Sequence, residues 1–140
     1  TASAARRLAG GGGEPPRPPD VLVIDDDPDA RRITAQVLRG EGATVREAGD
    51  GEAGLAAMRR QRPDVAVVDL MMPVLDGFGV LAAMRADVRL RGVPVVVLTT
   101  KALTPPERDY LARTAERVLE KGEYRLSDVA TLILRAATRR

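Results

Sequence analysis

The chain has 140 residues, 44% of them hydrophobic, 30% charged and only 2% aromatic, with no cysteine and no histidine. This suits one domain with a core of Val, Leu, Ile, Ala and Met, and it excludes disulfide frameworks, thiol nucleophiles, Cys or His metal sites and a histidine general base. The formal charge of +2 comes from basic and acidic residues interleaved along the chain, so charge gives no support to nucleic-acid binding.

No apolar run approaches the roughly 18 residues of a membrane span, and the first residues lack the apolar stretch of a signal peptide. The lack of Cys fits a reducing cytosol. Thr1 stands where a Met would open a full chain, as expected of a piece of something longer. Residues 1–19 hold four successive glycines, Gly10 to Gly13, and then a proline-rich stretch ending in Pro19. Glycine gives flexibility and proline an extended spacer, so the segment reads as a linker or the end of a preceding domain. A phosphate-cradling glycine loop would need a strand before it and a helix after it, and neither pattern is present.

From residue 20 to residue 140 one domain is expected, in which aliphatic runs alternate with helical patterns. Val21 to Ile24 is the first strand, and a period of 3.6 over Ala30, Ile33, Val37 and Leu38 predicts the first helix, stopped by Gly40 and Gly42. Thr44 to Ala48 is the second strand. Asp50 and Gly51 open the second helix, with Leu55 and Met58 on its inner face. Val65 to Val68 follows as the third strand, then a helix carrying Val80, Leu81 and Met84. Val93 to Leu98 is the fourth strand, and Thr104-Pro-Pro-Glu107 has the spacing of a capping box with proline at the first helical position. A weak fifth strand at Val118 and Leu119 precedes a last helix with Val129, Leu132, Ile133 and Ala136 inward. Three of the runs are almost wholly apolar, as parallel strands buried on both faces are. The expected fold is therefore α/β: a five-stranded parallel sheet of order 2-1-3-4-5, doubly wound in the flavodoxin-like manner.

In such sheets ligands bind beyond the carboxyl ends of the strands, where strand order reverses between strands 1 and 3. Asp25, Asp26 and Asp27 follow strand 1, Asp69 follows strand 3, Thr99 and Thr100 follow strand 4, and Lys121 follows strand 5. Two like charges 4 Å apart repel by about 4 kcal/mol at the effective dielectric of a protein surface, so converging carboxylates call for protonation or a cation. Oxygen donors alone favour a hard ion such as Mg²⁺. A carboxylate beside such an ion can act as nucleophile and become an aspartyl phosphate, while Lys121 and Thr99 could contact phosphoryl oxygens. Plainer roles stand beside these. Asp27 before Pro28 has the ordinary N-cap arrangement, and capping is its favoured reading. Asp25 and Asp26 alone could be a solvated loop, Asp69 a turn into the next helix, Thr99 a strand-end hydroxyl, and Met71 and Met72 packing. Lys121 is more telling, because the chain uses Arg nearly everywhere and its one other lysine is Lys101.

Four pieces, Val-Leu-Val-Ile-Asp25-Asp26, Val-Val-Asp69-Leu-Met-Met-Pro73 with Asp76-Gly77, Val-Val-Leu-Thr99 and Leu-Glu-Lys121-Gly, together resemble the response-regulator receiver domain. The resemblance covers residues 20 to about 138. It implies that Asp69 accepts a phosphoryl group from a phosphohistidine of a sensor histidine kinase or histidine phosphotransfer domain. It also implies that Asp25, Asp26, Asp69 and the backbone carbonyl of Met71 hold Mg²⁺, and that Thr99 and Lys121 contact the phosphoryl group and relay its presence. A cytoplasmic signalling module with no turnover of an external substrate is implied, with no contact to nucleic acid or membrane and with homodimerisation left open. Two positions depart from the family pattern: Gly122 follows the lysine in place of proline, and Val118 stands where a switch aromatic is common. Thr100, where the family often has a smaller residue, is expected to restrict access to the acyl phosphate. The stretch around Thr99 to Pro105, with Glu120 to Tyr124, is especially similar to receivers at the C-terminus of hybrid histidine kinases. The linker ahead of the domain, and a chain that closes with the last helix, fit a receiver tethered behind a kinase core with no DNA-binding output following it. Two other functions remain open: a pseudo-receiver that docks a partner without phosphorylation, and an Mg²⁺-dependent phosphatase using Asp25 and Asp27, which Pro28 and the lack of a cap insertion disfavour.

Overall fold

The computed structural model describes residues 17–138, so the expected linker lies outside the described residues except for its last three. Five strands and five helices alternate: β1 (Asp20–Ile24), α1 (Pro28–Gly40), β2 (Thr44–Ala48), α2 (Gly51–Arg60), β3 (Val65–Val68), α3 (Gly77–Ala86), β4 (Val95–Thr99), α4 (Pro105–Thr114), β5 (Arg117–Glu120) and α5 (Leu126–Thr138). All strand pairs are parallel, in the order β2-β1-β3-β4-β5, as expected from the sequence.

The strands send successive side chains to opposite faces, and both faces are covered. Leu22, Ile24, Ala66, Val68, Val95 and Val97 pack under α2, α3 and α4, with Leu55, Met58, Leu81, Met84 and Leu111 closing that layer. Val21, Val23, Val65, Val67, Val96 and Leu98 pack under α1 and α5 against Ala35, Leu38, Val129 and Ile133. Each such Val, Leu, Ile or Met side chain contributes about 1.5–3 kcal/mol by leaving water. The edges are more polar. Arg46 and Glu47 sit on β2 and Arg117 and Glu120 on β5, which discourages pairing with further strands.

Helix starts follow the expected chemistry. Asp50 accepts from the Ala53 N–H at 2.7 Å to cap α2. Thr104 and Glu107 form the reciprocal capping box of α4, with Pro105 in the first turn. At the other end of α1, Gly42 takes a positive φ of 97° and donates its N–H to the Arg39 carbonyl.

Two expectations need correction. Ile33 does not join the inner face of α1: it is 48% exposed, and Thr34, Ala35 and Leu38 are the buried positions. The stripe turned toward the sheet runs through Ala35 and Leu38 with Thr34 beside them, and Ile33 falls at its outer margin. The fourth strand starts at Val95 rather than Val93 and runs on to Thr99. Pro94 has no N–H for the ladder, although its carbonyl still accepts from the Ala66 N–H at 3.0 Å.

Val74 carries the one positive φ of a non-glycine among the described residues, 69°, and it is 95% exposed. A β-branched side chain in the left-handed region is strained and gains nothing here from burial. Val74→Asn should stabilise the fold by about 1 kcal/mol, seen as a higher urea midpoint with an unchanged m-value. An unchanged or lower midpoint would mean that the strain is relieved elsewhere in the loop.

Candidate functional site

The parallel ladder continues one residue past three strands. The Asp25 N–H donates to the Ala48 carbonyl at 3.1 Å, the Asp69 N–H to the Ile24 carbonyl at 3.1 Å, and the Lys121 N–H to the Thr99 carbonyl at 2.8 Å. The sheet thereby fixes the backbone of each polar residue on its carboxyl rim. Asp25 and Asp69 are only 5% and 8% exposed, Thr99 is fully buried, and Asp26 faces solvent.

One carboxylate oxygen from each of Asp25, Asp26 and Asp69 lies within 4.8 Å of the other two. Lys121 crosses the rim to them: its Nζ lies 3.0 Å from Asp25 Oδ2 and 3.7 Å from Asp69 Oδ2. Asp25 Oδ1 also accepts from the Asp27 N–H at 3.0 Å, and Asp69 Oδ1 from the Met71 N–H at 3.2 Å. Asp27 stands apart in role, since its Oδ1 accepts from the N–H groups of Asp29 and Ala30 at the start of α1. The Thr99 hydroxyl accepts from the Lys101 N–H at 3.1 Å. Thr100 is exposed, its hydroxyl 3.7 Å from the sulfur of Met71, which is itself 54% exposed.

Burial pushes the Asp69 carboxyl above its ordinary value, and the nearby Asp25 pushes the same way. The Met71 N–H, the Lys121 ammonium and the Thr99 hydroxyl pull it back, but burial wins. A carboxyl held above its unfolded value stabilises the fold fully only below that unfolded value, and the contribution is lost as pH rises through the folded one. Ionised Asp69 therefore carries a burial cost that the Lys121 ammonium offsets only in part.

Several contributors were not singled out from the sequence. Arg31 in the first turns of α1 donates from Nη1 to the Asp25 carbonyl at 2.9 Å and pairs through Nε with Glu47 at 3.2 Å, bracing the acidic loop against β2. With twenty arginines in the chain, its spacing carried no distinctive signal. Gly77 packs against the turn after β3: a Cβ there would lie 2.5 Å from the Asp69 carbonyl oxygen and 2.7 Å from Leu70 Cα. The Asp76-Gly77 pair was visible as a motif, but not this close approach of backbone to backbone. Lys101 pairs with Glu107 at 3.1 Å and ties the β4–α4 loop to the start of α4.

A doubly wound parallel sheet with carboxylates at its switch point, and a lysine from β5 reaching them, defines an α/β domain with a charged rim where such folds place their ligands. Residues 21–131 match the response regulator receiver domain family, and the chain belongs to that family. It is thus a receiver domain of the two-component response-regulator type, a family of phosphoacceptor signalling modules rather than turnover enzymes. Relatives include the probable transcriptional regulatory protein TcrX of Mycobacterium tuberculosis, 45% identical over 74 residues, which are 53% of this chain and 31% of that protein. The DNA-binding response regulator MtrA of Mycolicibacterium smegmatis is 45% identical over 77 residues, 55% of this chain and 32% of that protein. The matched part thus spans about a third of the length of these curated relatives. Among solved structures, the chemotaxis protein CheY4 of Vibrio cholerae superposes with a TM-score of 0.76 at 28% identity, over 85% of this chain and 98% of that one. None of the described helices is long and apolar enough to cross a membrane.

Two outcomes follow from the geometry. In EDTA at neutral pH, Asp69→Asn should raise the melting temperature, because the amide has no charge to bury. The gain should shrink as pH falls toward the ordinary carboxyl value of 3.8; a gain that does not vary with pH would dismiss ionisation as its cause. Gly77→Ala should destabilise by about 1–3 kcal/mol through overpacking against the Asp69 turn, read from the denaturation midpoint.

Proposed function

We propose that this domain accepts a phosphoryl group on Asp69 from a phosphohistidine, in a reaction that uses Mg²⁺, and that the acyl phosphate changes which partner the domain binds. The observation that carries this reading is the convergence of Asp25, Asp69 and Lys121 on one rim, with Lys121 Nζ 3.0 Å from a carboxylate 96 residues away in the chain.

The donor set suits the ion. Octahedral bonds of about 2.1 Å put ligand oxygens about 3–4.2 Å apart, and three carboxylate oxygens within 4.8 Å of one another need only a small closure to reach that spacing. Asp25, Asp26 and Asp69 would hold Mg²⁺, together with the backbone carbonyl of Met71, and the bound ion supplies neutralisation of charge between carboxylates and phosphoryl oxygens. In the transfer itself a carboxylate oxygen of Asp69 forms a bond to phosphorus as the bond from phosphorus to the donor imidazole nitrogen breaks, and the nitrogen takes up a proton. Lys121, already within 3.7 Å of Asp69, is in reach of a phosphoryl oxygen, and the buried Thr99 hydroxyl is the neutral donor on the other side. Thr100, its hydroxyl 3.7 Å from the Met71 sulfur, would restrict access to the acyl phosphate.

The partners in this reading are a sensor histidine kinase or a histidine phosphotransfer domain, in the cytoplasm, with no nucleic acid contacted by this domain. Its setting is proposed as the C-terminal receiver of a hybrid histidine kinase behind the Gly/Pro-rich linker. Because MtrA is a DNA-binding response regulator, a receiver joined to such an output is the alternative setting. A docking module without phosphorylation remains the second reading for one reason: half-buried Val118 replaces the switch aromatic, so the usual relay is missing.

Acetyl phosphate with Mg²⁺ should add one phosphoryl mass to the intact protein, and Asp69→Asn or excess EDTA should abolish the adduct. Full labelling of Asp69→Asn would refute the assignment. No labelling of the native chain by acetyl phosphate or by any phosphohistidine donor would leave the docking reading in its place.

A further inference from the structure

The end of the sheet opposite the acidic rim mixes both signs of charge, with Asp20 and Asp64 where β1 and β3 begin and arginines gathered where β4 begins. There an open cavity of about 410 Å³ lies between the α3–β4 loop and the α4–β5 turn, and its lining includes Arg85, Arg91, Arg113 and Glu116 around Gly92 and Thr114. Three guanidiniums and one carboxylate leave the lining with an excess of two positive charges. Arg62 adds a fourth guanidinium at the margin, resting so closely on Gly92 that a Cβ there would lie 2.8 Å from Arg62 Nη2.

Arg85 forms a fixed floor. Its Nε and Nη2 donate to the Thr114 carbonyl at 3.0 and 2.6 Å, and its Nη1 to the carbonyls of Arg91 and Val93 at 2.9 and 3.1 Å. Those bonds satisfy the C-terminal end of α4 and tie it to the loop before β4, which explains Arg85 as a structural residue. They do not explain Arg91 and Arg113. Both are exposed, and neither lies in an ion pair among the described residues; Arg60, Arg117, Arg125 and Arg135 share that condition, but only Arg91 and Arg113 among these line the cavity. Two unmatched guanidiniums are thus gathered around a concave surface whose floor is a third, immobilised one.

We propose that this cavity binds a small polyvalent oxyanion through Arg91 and Arg113. Guanidinium forks offer paired N–H donors that match phosphate or carboxylate oxygens, and two of them on one concave surface can hold more than one oxygen of a polyvalent anion. The site lies at the far end of the strands from Asp69 and is independent of the phosphoacceptor reading.

The test is a titration of the purified chain with inorganic pyrophosphate and, separately, with citrate, in EDTA so that no metal recruits anions to the acidic rim. Saturable movement of the Gly92 and Ala115 amide resonances, with a rise in melting temperature, is expected. The double variant Arg91→Gln, Arg113→Gln should weaken that response at least about tenfold, and Arg91→Gln alone part of the way, while Arg135→Gln on α5 leaves it unchanged. Tighter pyrophosphate identifies a phosphate-bearing ligand and tighter citrate a carboxylate-bearing one; either supports the site. A response that never saturates, survives the double variant, or falls equally in Arg135→Gln overturns it.

Discussion

Burial of the sheet on both faces is the constraint on which the rest of this domain depends. Val21 to Ile24, Val65 to Val68 and Val95 to Val97 have almost no exposed surface, so no charged group can be accommodated within them. Polar chemistry is displaced to the points where the strands emerge. Because every strand is parallel, those points lie on one rim, with Ile24 beside Val68, Val68 beside Val97 and Thr99 beside Glu120. The site is thus a consequence of register, and the ladder bonds that continue to Asp25, Asp69 and Lys121 make it a rigid one.

Electrostatics then set the character of that rim. Asp25 and Asp69 are buried close together, and Lys121 bonds more tightly to Asp25 than to Asp69. This division leaves Asp69 with the less compensated charge, and its carboxyl is held above the ordinary range chiefly by burial. A group in that condition has most to gain from a cation beside it. Arg31 contributes from behind, holding the carbonyl of Asp25 rather than its carboxylate, so it steadies the loop without competing for the oxygens that face the site.

Both poles of the sheet carry mixed charge, arranged differently. Where the strands end, Asp25, Asp26 and Asp69 meet Lys121, and Arg31 holds the loop behind them. Where they begin, Asp20 pairs with Arg46, while Arg85, Arg91 and Arg113 share one lining with Glu116. Interleaved charges along the chain gave no sign of either grouping, because each grouping joins residues from different elements.

The alternation of strands and helices and most helix starts were legible in the chain because their causes are local: apolar runs of strand length, Asp50 and Thr104 at helix starts, and Gly42 after a helix end. Strand order followed only from the fold type that this alternation implies. The exposure of Ile33 was not legible, since packing against the sheet settles which face of α1 turns inward. Asp25, Asp26, Asp69, Thr99 and Lys121 could be named from motifs at strand ends. Their distances and the raised Asp69 carboxyl could not, because these arise from contacts between residues as many as 96 positions apart. The same holds for Arg31, for the backbone approach that requires Gly77, and for the arginine cavity at the far pole. By itself the sequence determined which residues end each strand; the tertiary structure alone decided how near they stand, because distance and burial are properties of the packed sheet and not of any segment within it.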